Sequence, residues 1–354
     1  MINLKEYIKE GLFDDLDKIE KIGGMESNVK QLKKEIIDWI CSHYYTQPGG
    51  YKSNLVKKRG LSVDMTTTPP TVNYILKNPK EDCLYVSRTI ITPCNDGMFQ
   101  WGKVEGNFIC GGPRIENLEG CPKEVGGDFI CDCCISLTSL EGSPEKVGGT
   151  FKCIYCDKLT SLKGASKEVD ESFYCSRCKS LKSLEGAPKE IGGTFYCSWC
   201  TSLKDLKGAP KKVGGDFSCA DCSSLVALTG APEKIDGSFY CSGCNSLKDL
   251  KGAPEEVGGD FVCWECMSLK SLEGAPKDVS GNFDCRECKS LESLKGAPKD
   301  VGGNFCCPYC TSLKSLEGAP KNVGGDFICY CCDVPFSFED VKKICNVKRY
   351  TTIK

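Results

Sequence analysis

The sequence predicts a mainly β fold: a solenoid of about eleven coils on a 22-residue repeat, with a small α/β cap at its N-terminal side. Three observations carry this. Phenylalanine recurs as Phe129, Phe151, Phe173, Phe195, Phe217, Phe239, Phe261, Phe283, Phe305 and Phe327, always 22 residues apart and without insertion or deletion. Around it stands the pattern V-G-G-x-F-x-C-x-x-C-x-S-L-x-S-L-x-G-A-P-x-x, with Val257, Phe261, Cys263, Cys266, Leu269 and Leu272 as one instance. Finally, the residue after the second leucine reads Glu141, Lys163, Glu185, Lys207, Thr229, Lys251, Glu273, Lys295, Glu317, alternating in sign with one neutral break. Such alternation is favourable only where consecutive units lie side by side, because opposite charges on neighbouring strands attract by a few tenths of a kcal/mol.

Taken in order, residues 1–24 form an N-terminal helical segment, with an Asn-Leu-Lys-Glu helix start at Asn3. Residues 25–103 form the α/β cap. Within it Val29, Leu32, Ile36, Ile40 and Tyr44 make a helical stripe that packs on a core, "TTTPP" makes a loop, and "TVNYILKNPKEDCLYVSRTIITP" alternates enough for two strands facing the first coil. Residues 104–334 are the solenoid. Its first coil is degraded: Phe108 and Cys110 remain, but Pro113 replaces the second cysteine, as expected where a terminal coil has one neighbour. Residues 335–354 close the other end.

Each regular unit reads as one short strand and a bent return path. The F-x-C alternation has strand period two, which turns phenylalanine and the first cysteine inward and the residue between them outward. Gly-Gly is expected to supply positive φ for one corner and Gly-Ala-Pro to make the other. Asp, Thr, Ser or Asn enters each strand, residue types that bond backbone in turns. A single coil buries too little apolar surface to offset roughly 1–2 kcal/mol of backbone entropy per residue, so stability has to come from stacking.

The order C-x-S-L-x-S-L-x-x-x-P-x-x-V-G-G-x-F, seen from Cys178 to Phe195, resembles the leucine-rich repeat of bacterial surface antigens, the BspA-like class. The resemblance implies a leucine-rich-repeat-like, right-handed solenoid used for contact with other proteins. Cysteine two residues after phenylalanine, as at Cys197, departs from that class.

The chain holds 29 cysteines and a single histidine, His43. Three readings of the cysteines stay open. Cys131 with Cys134, Cys153 with Cys156, Cys219 with Cys222 and Cys241 with Cys244 have the C-x-x-C spacing of a zinc array. Secretion would instead make the pairs disulfides of a crosslinked adhesin, and inward positions suit reduced, buried thiols that need no cofactor. Thioredoxin-type chemistry needs a thiolate at a helix N-terminus or beside a cation, and these pairs run from a strand into a turn. Cys133, Cys306 and Cys331 fall outside the two columns and are expected to point outward or sit in corners.

A formal charge of −2, from 46 basic against 48 acidic residues, gives no field for nucleic acid or an anionic membrane. No signal-peptide core opens the sequence, so the expected location is cytoplasmic or virion-associated. "MINLKEYIKE" resembles the capsid-targeting peptides of large tailed bacteriophages, which implies cleavage between Glu10 and Gly11. No phosphate loop, nucleophile motif or carboxylate pair is present, so the expected function is non-enzymatic: a protein-interaction or structural module of undefined oligomeric state. Its candidate contact residues are the aromatic and arginine side chains of the variable outward positions: Tyr155, Tyr174, Tyr196, Trp199, Tyr240, Trp264, Arg286, Tyr309 and Tyr330.

Overall fold

The computed structural model describes residues 25–47, 54–55, 61–64, 70–74, 83–86 and 99–351. Residues 1–24, with the Glu10–Gly11 processing point, lie outside the described residues, as does most of the "TTTPP" segment. The fold is mainly β, a parallel β-solenoid of about eleven coils with a repeat of about 22 residues. The chain divides into two compact units, residues 1–153 with 164–169, and residues 154–163 with 170–354.

The first unit begins with helix α1 (Met25–His43). Leu32, Ile36 and Ile40 are buried as the helical stripe predicts, while Val29 is half-buried. Tyr44 leaves that stripe, because the helix ends at His43 and strand β1 (Tyr44–Gln47) follows. The two strands expected downstream are β4 (Thr71–Tyr74) and β5 (Cys83–Val86), which follow β2 (Asn54–Leu55) and β3 (Leu61–Asp64). β4 runs parallel to β6 (Gln100–Val104), and β5 runs parallel to β7 (Asn107–Ile109), so the cap offers one strand to each edge of the first coil. Its aromatic rings connect to the repeat core in a chain of edge contacts: Trp39 on Phe99 at 5.7 Å, Phe99 on Trp101 at 5.6 Å, Trp101 on Phe108 at 6.3 Å.

A regular coil contains two strands of two residues, not one, as Lys234–Ile235 and Phe239–Tyr240 illustrate. The extra strand ends on the valine or isoleucine before Gly-Gly, which points inward and pairs at the same 22-residue register, as Val213↔Ile235↔Val257 shows. In the second unit the phenylalanine rings from Phe173 to Phe327 stack at 5.1–5.5 Å, and the phenylalanines, both cysteines and the first leucines of the regular coils are buried. The core is thus assembled from the repeated letters of the sequence.

The strand-entry position forms a second ladder, made of polar side chains. Asp216 accepts a bond from the Ser238 amide at 2.8 Å, Ser238 from Asp260 at 3.0 Å, Asp260 from Asn282 at 2.7 Å, and Asn282 from Asn304 at 2.8 Å. This ladder explains Gly-Gly, and the explanation differs from the expected positive φ. Gly214 and Gly215 are not in the left-handed region. A Cβ on Gly214 would instead press into the Gly192 carbonyl oxygen, and one on Gly215 would stand 2.8 Å from the Thr194 hydroxyl, so glycine here allows close stacking. Positive φ belongs to the other corner, where the glycine of Gly-Ala-Pro takes values of 82–102° from Gly142 to Gly318.

The repeat is least regular where the units divide. Asp170-Glu171 replaces Gly-Gly there, and Ser166 replaces the buried proline, leaving its hydroxyl buried without a hydrogen-bond partner. At the C-terminal end strand Asn322–Ile328 pairs in parallel with Asn346–Thr351. Between them a short helix, α2 (Phe338–Lys342), begins with a capping box in which Ser337 and Asp340 bond each other's backbone amides.

Candidate functional site

Two sets of side chains distinguish this solenoid chemically: the inner thiols and an outer corner. The inner set forms a regular hydrogen-bonded column. The second thiol of each pair donates to the carbonyl oxygen of the first cysteine one coil back: Cys222 to Cys197 at 3.2 Å, Cys244 to Cys219 at 3.3 Å, Cys266 to Cys241 at 3.2 Å, Cys288 to Cys263 at 3.2 Å and Cys310 to Cys285 at 3.2 Å. The strand has just turned away at that carbonyl, and the thiol takes the place of the next rung. Burial pushes the Cys200 thiol up to about 12. Cys219 lies well above the ordinary thiol range too, through burial first and its contact with the Cys244 thiol second.

The zinc-array alternative named Cys131, Cys134, Cys153, Cys156, Cys219, Cys222, Cys241 and Cys244, and the geometry does not assemble these into ligand sets. All eight are buried, and among the described residues no three His, Cys, Asp or Glu side chains are grouped so as to hold a metal ion. The second cysteines turn to backbone oxygen instead. Cys134 has its sulfur 3.8 Å from the carbonyl oxygens of both Cys110 and Asp132, and Cys156 has its sulfur 4.0 Å from that of Ile154. Cys134 and Cys156 thus lie beside main-chain acceptors, whereas a zinc ligand converges with three others on one point.

The last coil departs from the column: Cys332 stands 3.6 Å from the Cys307 carbonyl and its sulfur is 3.3 Å from that of Cys329. Cys133 and Cys331 are exposed as expected, but Cys306 is buried.

Cys306 belongs to the outward strand column, and that column is less exposed than strand alternation implies. Tyr174, Tyr196 and Tyr240 are half-buried, while Ser218 and Asp284 are buried. Side chains of the same or the neighbouring coil cover them. Tyr174 and Tyr196 meet edge-on at 5.3 Å, Ser198 and Ser218 share a hydroxyl bond of 2.8 Å, and the Arg286 guanidinium folds over Asp284, with its Nε 2.8 Å from Oδ2. Burial raises the Tyr196 hydroxyl pKa, helped by the Asp216 carboxylate. Arg286 is therefore committed to a neighbour in its own coil, and only its outer edge is open.

The open surface lies at the next corner. The residue before the second cysteine of every regular pair adopts positive φ: Cys133 in the first unit, and in the second Tyr155, Arg177, Trp199, Asp221, Gly243, Glu265, Glu287, Tyr309 and Cys331, all between 54° and 66°. Such a backbone throws the side chain out of the coil, so these nine residues make a ridge along the second unit. Tyr155, Trp199 and Tyr309 on it are more than two-fifths exposed, and Trp264 beside it is 39% exposed. The Arg177 guanidinium lies between two of them, 5.4 Å from the Tyr155 ring and 5.0 Å from the Trp199 ring. Tyr309 meets Tyr330 edge-on at 5.3 Å.

The structure thus brings Tyr155, Trp199, Trp264 and Tyr309 to one ridge and keeps Tyr174, Tyr196 and Tyr240 on a more covered face. Arg177, Asp221, Glu265 and Glu287 are ridge residues that a search for aromatic and outward-strand positions passes over. The signal that could have found them is Gly243, a glycine where every other unit has a side chain.

No family model matches the chain, and no curated protein matches it. Among solved structures, a leucine-rich repeat protein from Bacteroides ovatus ATCC 8483 is similar at 17% identity over 76% of this chain and 77% of that one, with a TM-score of 0.29.

Proposed function

We propose that this chain is a non-enzymatic protein-interaction module of the leucine-rich-repeat type, and that it binds through the corner ridge of its second unit, with no metal or cofactor taking part. One observation carries the reading: nine successive ridge positions share a backbone conformation within 54–66°, while their side chains vary freely among aromatic, basic, acidic and small. The inner letters, the strand-entry ladder and the glycine corners repeat from coil to coil, so the ridge is free to encode a partner. Exposed aromatic rings beside an arginine are the side chains that anchor protein interfaces. A virion setting is the finer part of this proposal; it rests on the resemblance of residues 1–10 and predicts Gly11 as the N-terminus of protein recovered from particles.

The test is site-specific photocrosslinking in cells that make the protein. A photoreactive residue at Trp199 or Tyr309 should give discrete protein adducts, and the same residue at Val226, exposed but off the ridge, should not. Equal labelling at all three positions, or none at any, would overturn the proposal.

A further inference from the structure

The ridge has an internal symmetry that names its partner's chemistry. Its first eight residues run Tyr155, Arg177, Trp199, Asp221, Gly243, Glu265, Glu287, Tyr309, one residue per coil and 22 apart in sequence, and the ninth, Cys331, lies beyond the symmetric stretch. Reversed, the same row is complementary to itself. A tyrosine meets a tyrosine at the two ends, the arginine meets a glutamate, a tryptophan meets a glutamate flanked by Trp264, and the aspartate meets the glycine. We infer that a second copy of this chain packs against the ridge, antiparallel, about a two-fold axis lying between Asp221 and Gly243. This inference rests on the ridge being an interaction surface, and adds what it binds.

Three observations support it. Successive coils stack at about 4.8 Å, so residues equally far from the axis come opposite each other in an antiparallel pair. Arg177 then faces the partner's Glu287, twice by symmetry, and Tyr155 faces the partner's Tyr309. Trp199 reaches the coil that carries the partner's Trp264. Next, the guanidinium of Arg177 lies between the Tyr155 and Trp199 rings, 5.4 and 5.0 Å from their centroids, so its position is constrained before any partner arrives. The centre of the row, moreover, is low. Gly243 has no side chain, and the space its Cβ would take is occupied by the Asp221 carboxylate of the same chain, so neither copy raises a bulky group at the axis.

Neighbouring registers are poorer on charge. Moving the axis half a coil spacing one way places it on Asp221, which opposes aspartate to aspartate while Arg177 faces the partner's Glu265. Moving it the other way places it on Gly243, sets Asp221 against the partner's Glu265 and leaves Arg177 facing a tyrosine. Like charges directly opposed are destabilising, so the register between Asp221 and Gly243, which opposes none, is the best of the three, and only in it does Arg177 face Glu287.

Sedimentation velocity on the full chain over roughly 1–100 μM, a range in which an interface of this class associates, tests the pairing. A concentration-dependent monomer–dimer equilibrium that weakens with salt is expected. R177E and E287R, each placing two like-charged pairs across the axis, should each weaken dimerisation by about tenfold or more, and the double variant R177E/E287R should recover most of that loss. Circular dichroism of each variant confirms that the coil is intact, with Arg177 exposed and Glu287 half-buried in the parent. A chain that stays monomeric to 100 μM overturns the inference, as does a dimer indifferent to either single exchange or a double variant no tighter than the singles. Should the monomer persist while Trp199 still crosslinks to another protein, self-pairing falls and the interaction module stands.

Discussion

The inner face and the corner ridge of the second unit are built on the same 22-residue period and vary in opposite ways. Inside, Phe, two Cys and two Leu repeat with hardly a change and are buried to the last atom in most coils. At the corner the backbone repeats just as faithfully, with φ between 54° and 66°, while the side chain changes at almost every step. The contrast separates two kinds of constraint. Where a side chain touches the coil above and the coil below, any change is felt twice, and the sequence settles on one solution. Where it projects into solvent, only the backbone is fixed, and the letter is left to function.

The largest expected effect comes from charging the inner column all at once. A thiol is neutral when protonated, and burial holds Cys200 near 12 and Cys219 well above the ordinary value of ~8.5. The folded chain therefore keeps protons that the unfolded chain releases, so this stability is complete below about pH 8.5 and is lost as pH rises toward the folded values. Tyr196 shifts in the same direction. Thermal unfolding followed by circular dichroism should show a steady melting temperature up to about pH 8 and a progressive fall to pH 10.5, unchanged by ridge substitutions. A flat profile to pH 10.5 would mean that the thiols are not enclosed as described.

Next in size is a single inner deletion set against a single ridge deletion. Phe239 stacks on Phe217 at 5.5 Å and on Phe261 at 5.2 Å and has no exposed surface, so Phe239→Ala should cost about 3–5 kcal/mol in denaturant unfolding. Tyr309→Ala at the ridge should stay within about 0.5 kcal/mol of the parent. Comparable losses would break the distinction between the two faces.

Much of this was legible in the sequence, for a physical reason. The phenylalanine register, the inward cysteines and the two expected cap strands follow from period and alternation alone, because each inner residue faces the same surroundings in every coil. The sign alternation after the second leucine was legible as well: Lys163 reaches Glu185 at 3.3 Å and Lys251 reaches Glu273 at 3.5 Å, though Lys207 turns to Asp205 of its own coil at 3.4 Å. What escaped depends on contacts between coils rather than within one. The C-x-x-C spacing alone could not tell a zinc pair from the thiol-to-carbonyl contacts that Cys134 makes with Cys110 and Cys222 with Cys197, because the acceptor lies one coil away. Gly-Gly is explained by the side chain stacked against it, as Gly215 and Thr194 show, and the cover over Ser218, Asp284 and Cys306 comes from neighbours that single-strand alternation ignores. The corner escaped for another reason: positive φ is conventionally read from glycine, and eight of nine ridge residues in the second unit are not glycine.

That last point sets up the smallest expected effect. A non-glycine residue in the left-handed region is strained by roughly 1–2 kcal/mol, and the ridge accepts this in every coil but one. Glu265 has φ 57° and its amide bonds the Arg286 carbonyl at 3.0 Å, a bond that glycine would keep. Glu265→Gly relieves the strain, and the greater freedom of glycine in the unfolded chain returns about 0.5–1 kcal/mol of it. The balance is a gain of roughly 0.5–1 kcal/mol, measured by denaturant unfolding at concentrations low enough to hold the chain monomeric. Gly243→Glu, the reverse exchange one coil earlier, should lose a similar amount, since it adds the strain and displaces the Asp221 carboxylate from above Gly243. If Glu265→Gly instead destabilises the monomer, then the ridge side chains support their own coil, and the separation between inner letters that fold the chain and outer letters that bind would have to be redrawn around the contacts Glu265 makes.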